Sequence, residues 1–147
     1  MKSRSLSFLL LPLLPACATV HDWNELQTAP MTQAECYDGV VFVAESGGFA
    51  PDHPNCDRGL GTWQSRWRTR NTPIFGVSRY RLRTEVMFDE GSSESGWRIR
   101  YVVEQQKVED PRRRDDPAPE DWSDDGQDRE REGLFGDRLQ RKLAPKA

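Results

Sequence analysis

The residues whose types could carry chemistry fall into three groups. The first is Asp52-His53-Pro54-Asn55-Cys56-Asp57, which places two carboxylates, an imidazole and a thiol within six positions. A Cys–His pair is the start of a nucleophilic site. One Cys and one His close together fall well short of a zinc pattern. The second group is the carboxylates of residues 109–132, which sit in a proline-punctuated, highly charged stretch. A flexible chain cannot hold an acid and a base in productive geometry. The third is a set of alternating arginines: Arg66 and Arg68, then Arg79, Arg81 and Arg83, then Arg98 and Arg100. Guanidinium groups are planar and multidentate, so such an array suits phosphate or carboxylate. The sequence has no glycine-rich phosphate loop, serine nucleophile elbow, HExxH pair or zinc-ligand array. It therefore points to a non-enzyme, with no catalytic residue, metal ligand or cofactor to assign.

The amino terminus supplies an address. Lys2 and Arg4 precede an apolar run over residues 6–14. That run is shorter than the ~20 residues a spanning helix needs, and has the layout of a signal peptide. Leu14-Pro15-Ala16-Cys17 resembles the bacterial lipobox, with an aliphatic residue at −3, a small one at −1 and the cysteine at +1. Pro15 at −2 departs from the usual pattern. The resemblance implies a diacylglyceryl thioether on Cys17, cleavage before it, and anchoring by two or three acyl chains. The other reading is an ordinary secreted protein cleaved after Ala16. By the lipoprotein rule an aspartate after the cysteine favours the inner membrane, so Ala18 leans towards the outer membrane, facing the periplasm. Loss of residues 1–16 removes Lys2 and Arg4, leaving 19 basic against 24 acidic residues and a net charge of −5. About 130 residues remain, enough for one domain.

The elements that must position these groups follow from pattern. After the leader (1–16) and a tether (17–30), Thr32 and Glu35 form a capping box. Cys36, Val40, Val43 and Ala44 recur at helical spacing, and Gly47-Gly48 ends the helix. The run Val40-Val41-Phe42-Val43 would also suit a strand; the cap and the double glycine decide for helix. Three strands follow. Residues 62–68 alternate Trp63 and Trp67 against Gln64, Arg66 and Arg68. Residues 78–89 alternate Tyr80, Leu82, Thr84, Val86 and Phe88 against Arg79, Arg81, Arg83 and Glu85. Residues 97–108 alternate Trp97, Ile99, Tyr101 and Val103 against Arg98, Arg100, Val102 and Glu104. Period two means one wet and one buried face. Residues 109–127 read as an acidic, disordered linker. A last helix begins near Asp128 and carries Phe135, Leu139 and Leu143 on one face; Gly133 and Gly136 weaken it. The expected fold is α+β: an antiparallel sheet of three to four strands, with an N-terminal and a C-terminal helix on one face. The core spans 31–108, and 128–147 forms the final helix and tail.

Outside the cytoplasm an even pair of cysteines forms a disulfide, so Cys36 and Cys56 are expected to bridge. That closes a loop of about 20 residues and is worth roughly 3 kcal/mol. The arginines carry several readings. They could be ordinary strand surface, partly neutralised by Glu85 and Glu104 across the sheet. They could bind an anionic lipid, glycan or acidic protein patch. Residues 58–100 carry nine Arg against four acids, and residues 109–132 eleven acids against five Arg. The linker could therefore fold over the arginine face and mask it.

The order of capped helix, aromatic strands and final helix resembles the helix-grip-like domains of small envelope lipoproteins, the BamC and LptE families among them. The likeness rests on element order. It implies a membrane-anchored accessory of envelope assembly, partnered by an envelope protein or an anionic envelope component and not by nucleic acid. The alternatives are an anionic lipid or glycan binder using the arginine face, and an envelope hydrolase.

Overall fold

The structure, a computed structural model, describes residues 21–74 and 76–145. The leader and Cys17 lie outside the described residues. Strand β1 (Asn24–Gln27) precedes helix α1 (Gln33–Ser46). Thr32 Oγ1 accepts from the Glu35 amide at 3.2 Å, and Glu35 Oε2 accepts from the Thr32 amide at 2.8 Å, so the capping box is formed. Val40-Val41-Phe42-Val43 is helical, with Val40 and Val43 buried. Two short strands follow, β2 (Thr62–Gln64) and β3 (Arg68–Thr72). A long hairpin comes next, β4 (Gly76–Ser92) and β5 (Gly96–Val108). Strand β6 (Trp122–Gln127) leads into helix α2 (Arg129–Leu143), capped by Asp128.

The sheet is antiparallel and has six strands, not three or four. Its width is still four. The hairpin forms the centre, and each outer edge is covered by two short strands laid end to end. On β4, β3 pairs with residues 76–80 and β2 with 83–85. On β5, β1 pairs with 98–101 and β6 reaches 104–108. Two expectations are corrected here. The tether is not merely a tether, since it supplies β1. The acidic linker is ordered: it forms turns at Pro111–Arg113 and Pro119–Asp121 and then β6. The open edge of β5 is the physical reason, because its unpaired amides and carbonyls recruit whatever chain passes.

Val103 lies where β1 has ended and β6 has not begun. Its amide donates to Glu132 Oε1 at 3.0 Å, and its carbonyl accepts from the Asp128 amide at 2.9 Å. The start of α2 thus closes the gap in the ladder. Glu132 is buried and also accepts from Asn24, Gln127 and Arg129.

Both helices cover one face. Cys36, Val40 and Val43 of α1 and Phe135, Leu139 and Leu143 of α2 meet Leu82, Val86, Ile99, Tyr101, Val103 and Trp63. Two helical glycines are packing surfaces. A Cβ on Gly39 would collide with the Leu143 side chain, and one on Gly136 with the Tyr101 hydroxyl. No helix among the described residues is long and apolar enough to cross a membrane.

The Cys36–Cys56 bridge expected from the sequence is not formed: both are free thiols. Cys36 is fully buried, and burial pushes its thiol up to about 12. Oxidation and exchange proceed through the thiolate, which that environment disfavours. The Cys56 thiol instead donates to the carbonyls of Asp52 at 3.3 Å and Gln64 at 3.4 Å.

Candidate functional site

The sheet face turned away from the helices gathers most of the arginines. Arg79, Arg81 and Arg83 alternate along β4, and Arg98 and Arg100 along β5. Register places Arg81 opposite Glu104, Glu85 opposite Arg100, and Arg79 opposite Gln106. Cross-strand neighbours on one face are close enough to pair, and here they do. Arg81 Nε meets Glu104 Oε2 at 2.5 Å, and Arg83 Nη1 meets Glu104 Oε1 at 2.8 Å. Arg100 Nη2 meets Glu85 Oε2 at 2.5 Å, and Arg98 meets Glu90 at 3.0 Å. Arg79 Nε donates to Gln106 Oε1 at 2.8 Å.

Three tryptophans are interleaved with these groups. Arg79 lies between Trp67 and Trp122, with its guanidinium carbon 4.6 and 4.3 Å from their ring centroids. Arg81 shares Trp67 at 4.5 Å. Trp23 takes Arg83 at 5.4 Å and Arg100 at 5.3 Å. Such stacking is worth ~0.5–1 kcal/mol at exposed sites and more when desolvated. The expected wet face is therefore half-buried, and Val102, Val108 and Val77 are buried. Glu104 is 5% exposed. Burial raises its pKa, but the hydrogen bonds from Arg83 and Arg81 outweigh this and hold the carboxyl below the usual range. Arg79 is drawn down by burial and then by the charge of Arg81. Arg100 is held up chiefly by its hydrogen bond to Glu85.

Trp67 corrects the strand reading of residues 62–68. Gln64 opposes Arg83, and Arg68 opposes Tyr80, so four steps on one strand match three on β4. This one-residue bulge moves Trp67 from the core face to the arginine face. It moves Arg68 the other way, onto the helix side, where it donates to the Gly48 carbonyl at 3.2 Å. Arg66 sits in the bulge and is exposed. The seven arginines are thus not one array. Five share a face and two are split off.

The linker does not mask this face with its acids. Among the described residues, Asp125 pairs with Lys107 at 2.9 Å and Asp121 with Arg113 at 4.0 Å. The linker contributes Trp122 to the face. Trp23, which the sequence leaves free to dock on the domain or on lipid headgroups, docks on the domain; Trp122 and Glu132 carry no signal in the sequence. Trp23 and Trp122 lie in stretches without apolar alternation and come in where β1 and β6 pair with β5, and Glu132 comes in where the first turn of α2 meets Val103.

Around Asp52 and Asp57 the side chains close a loop. Asp52 Oδ2 accepts from Asn55 and Gln64, and Asp57 Oδ1 from the amides of Gly59 and Leu60. His53 is exposed beside them. Among the described residues no three His, Cys, Asp or Glu side chains are grouped to hold a metal ion. No protein-family model matches this chain, and no curated protein is similar to it in sequence.

Proposed function

We propose that this chain is a lipid-anchored, periplasm-facing lipoprotein of a bacterial envelope that binds a partner without covalent chemistry. What supports the reading is the lipobox-like Leu14-Pro15-Ala16-Cys17, with the first described residue following soon after it in the chain. Only four residue steps separate Cys17 from His21, a reach of about 14 Å at most. His21 Nε2 is 3.2 Å from Glu104 Oε1. The Asp22 amide donates to Gln127 at 2.8 Å, and its carboxylate meets Arg129 at 3.1 Å. An acylated Cys17 would hold the domain against the membrane by its β1–β6 edge, which suits an accessory subunit working at the bilayer surface.

The test is a crosslinking pull-down from intact envelopes, comparing the native chain with Cys17→Ser. One membrane protein recovered at near-equal amount only with the native form supports the reading. Recovery independent of Cys17 overturns the anchor. Turnover of a cell-wall or ester substrate, lost in His53→Ala, would make the protein an envelope hydrolase instead.

The second reading is binding of an anionic lipid or glycan. The five arginines of the sheet face already have partners, so an anion there must compete with Glu85, Glu90 and Glu104, or at Arg79 with Gln106. What favours this reading is the pair of guanidiniums beyond that face, Arg68 and Arg138, which among the described residues contact backbone carbonyls and not carboxylates.

A further inference from the structure

On the helix side of the sheet, a cleft of about 290 Å³ opens between the C-terminal end of α1, the start of β3 and residues 131–138 of α2. Among the described residues its charged lining is Arg68, Arg131 and Arg138, with no carboxylate. Its floor is Phe49, Tyr80 and Phe135, all buried. Phe49 meets Tyr80 at 6.1 Å and Phe135 at 6.4 Å between centroids, both edge to face. That is a rigid apolar base. Leu134, 55% exposed, stands at the rim.

The three guanidiniums are fixed by different contacts. Arg138 Nη1 reaches the Ser46 carbonyl at 3.5 Å, and Arg68 Nη1 the Gly48 carbonyl at 3.2 Å. Both converge on the Gly47-Gly48 pair. A Cβ on Gly47 would lie 3.3 Å from Arg138 Nη1, and one on Gly48 3.0 Å from Arg68 Nη1. The double glycine that ends α1 therefore also lets both guanidiniums approach. Each has five N–H donors and gives one to a carbonyl, so most of the fork is left for a ligand. Arg131 is stacked 4.0 Å from the Tyr80 centroid and is steered from below by Asp128.

We propose that this cleft binds an anionic group, phosphate or carboxylate, carried on an apolar body. The guanidiniums of Arg68 and Arg138 take the anion, Arg131 assists, and the aromatic floor with Leu134 takes the apolar part. The volume is at the lower end of small-ligand sites. It therefore fits one small molecule or the charged end of a larger one, such as a lipid headgroup with the first part of its chain. This inference does not depend on acylation of Cys17.

The experiment uses the full chain in neutral detergent. Phenyl phosphate is titrated while the arginine side-chain Nε–H resonances are followed by NMR, and binding to vesicles with and without phosphatidylglycerol is measured in parallel. Saturable shifts at Arg68, Arg131 and Arg138, with Arg79, Arg81 and Arg83 unmoved, support the cleft and a free amphiphilic ligand. Vesicle binding that needs phosphatidylglycerol and is weakened in Arg68→Gln and Arg138→Gln, without a phenyl phosphate response, supports the cleft with a headgroup as the source. Each single variant is expected to weaken binding about tenfold, in line with the loss of one charge-assisted contact. Arg66→Gln, outside the cleft, is the control. Equal shifts at every exposed arginine, or unchanged binding in both Gln variants, overturns the proposal. The titration of the unsubstituted chain decides the matter even if a variant fails to fold.

Discussion

On one face of β4, Tyr80, Leu82, Thr84 and Val86 lie beneath two helices. On the other, Arg79, Arg81 and Arg83 lie among three tryptophans and the carboxylates of Glu85 and Glu104. The first face excludes water and the second does so in part, by different means. The first does so with apolar groups from distant elements, where burial at ~25 cal/mol per Å² supplies the stability. The second does so with side chains of the sheet and its edge strands, whose long stems and rings cover the backbone while their charges cancel in place. The comparison teaches that a sheet can finish its second face without a second helical layer. The cost of that solution is that its guanidiniums are committed to neighbours.

The contrast is sharpest where a side chain is truncated. Leu82 is fully buried and meets both helices' residues in the core. Leu82→Ala is expected to lower stability by about 3 kcal/mol. Arg98, by comparison, pairs with Glu90 while 46% and 40% of the two side chains remain exposed, so Arg98→Ala should cost less than about 1 kcal/mol. Urea unfolding of both variants at neutral pH measures the difference. Equal losses would mean that the two faces are held by the same kind of force.

Within the arginine face, Glu104 is the group on which the others depend. Glu104→Gln leaves Arg81 and Arg83 without a counter-charge, and a loss of about 2 kcal/mol is expected. That is below the range for a fully buried pair, because both arginines keep some contact with water. The effect must depend on pH. The folded-state pKa of Glu104 lies below its unfolded value, so the folded form binds fewer protons. Its contribution is complete above the unfolded value of ~4.3 and disappears as pH falls through the folded one. Native and Glu104→Gln proteins should therefore differ most at neutral pH and converge as the pH falls through the folded-state pKa of the carboxyl. A difference that does not change with pH would show that shape, and not charge, is what Glu104 supplies.

The parts of this fold that were legible in the sequence are the ones decided locally. Thr32 and Glu35 cap α1 through contacts three residues apart. Asp128 caps α2 in the same way, and the β4–β5 hairpin shows through the alternation of Tyr80 to Val86 and Trp97 to Val103. The strands that were not legible, β1 and β6, are short and polar. Nothing in Asn24-Glu25-Leu26-Gln27 or in Trp122-Ser123-Asp124-Asp125-Gly126-Gln127 demands a strand until the edge of β5 is beside it. The candidate site was half legible for the same reason. Period two put Arg79, Arg81 and Arg83 on one face and Glu85 and Glu104 within reach. The single inserted residue between Gln64 and Arg68, which carries Arg68 to the other side, has no marker in the sequence. Spacing and compartment pair the two cysteines, but they say nothing about how deeply Cys36 is buried.

The smallest effects separate the two kinds of helix glycine in α2. By propensity alone Gly133 and Gly136 are equivalent, each costing the helix ~1 kcal/mol relative to alanine. Their surroundings are not equivalent. A Cβ on Gly136 would collide with the hydroxyl of Tyr101. The Tyr101 ring is held edge-on by Phe135, with centroids 5.2 Å apart, so it has little freedom to yield. Gly136→Ala is expected to lose about 1–2 kcal/mol by overpacking, in spite of its better propensity. A Cβ on Gly133 meets nothing within 4 Å, so Gly133→Ala should gain somewhat under 1 kcal/mol. Melting temperatures of the two variants should move in opposite directions. If both rise, α2 does not press on Tyr101 as closely as the fold requires. If both fall, the space beside Gly133 is not open in solution.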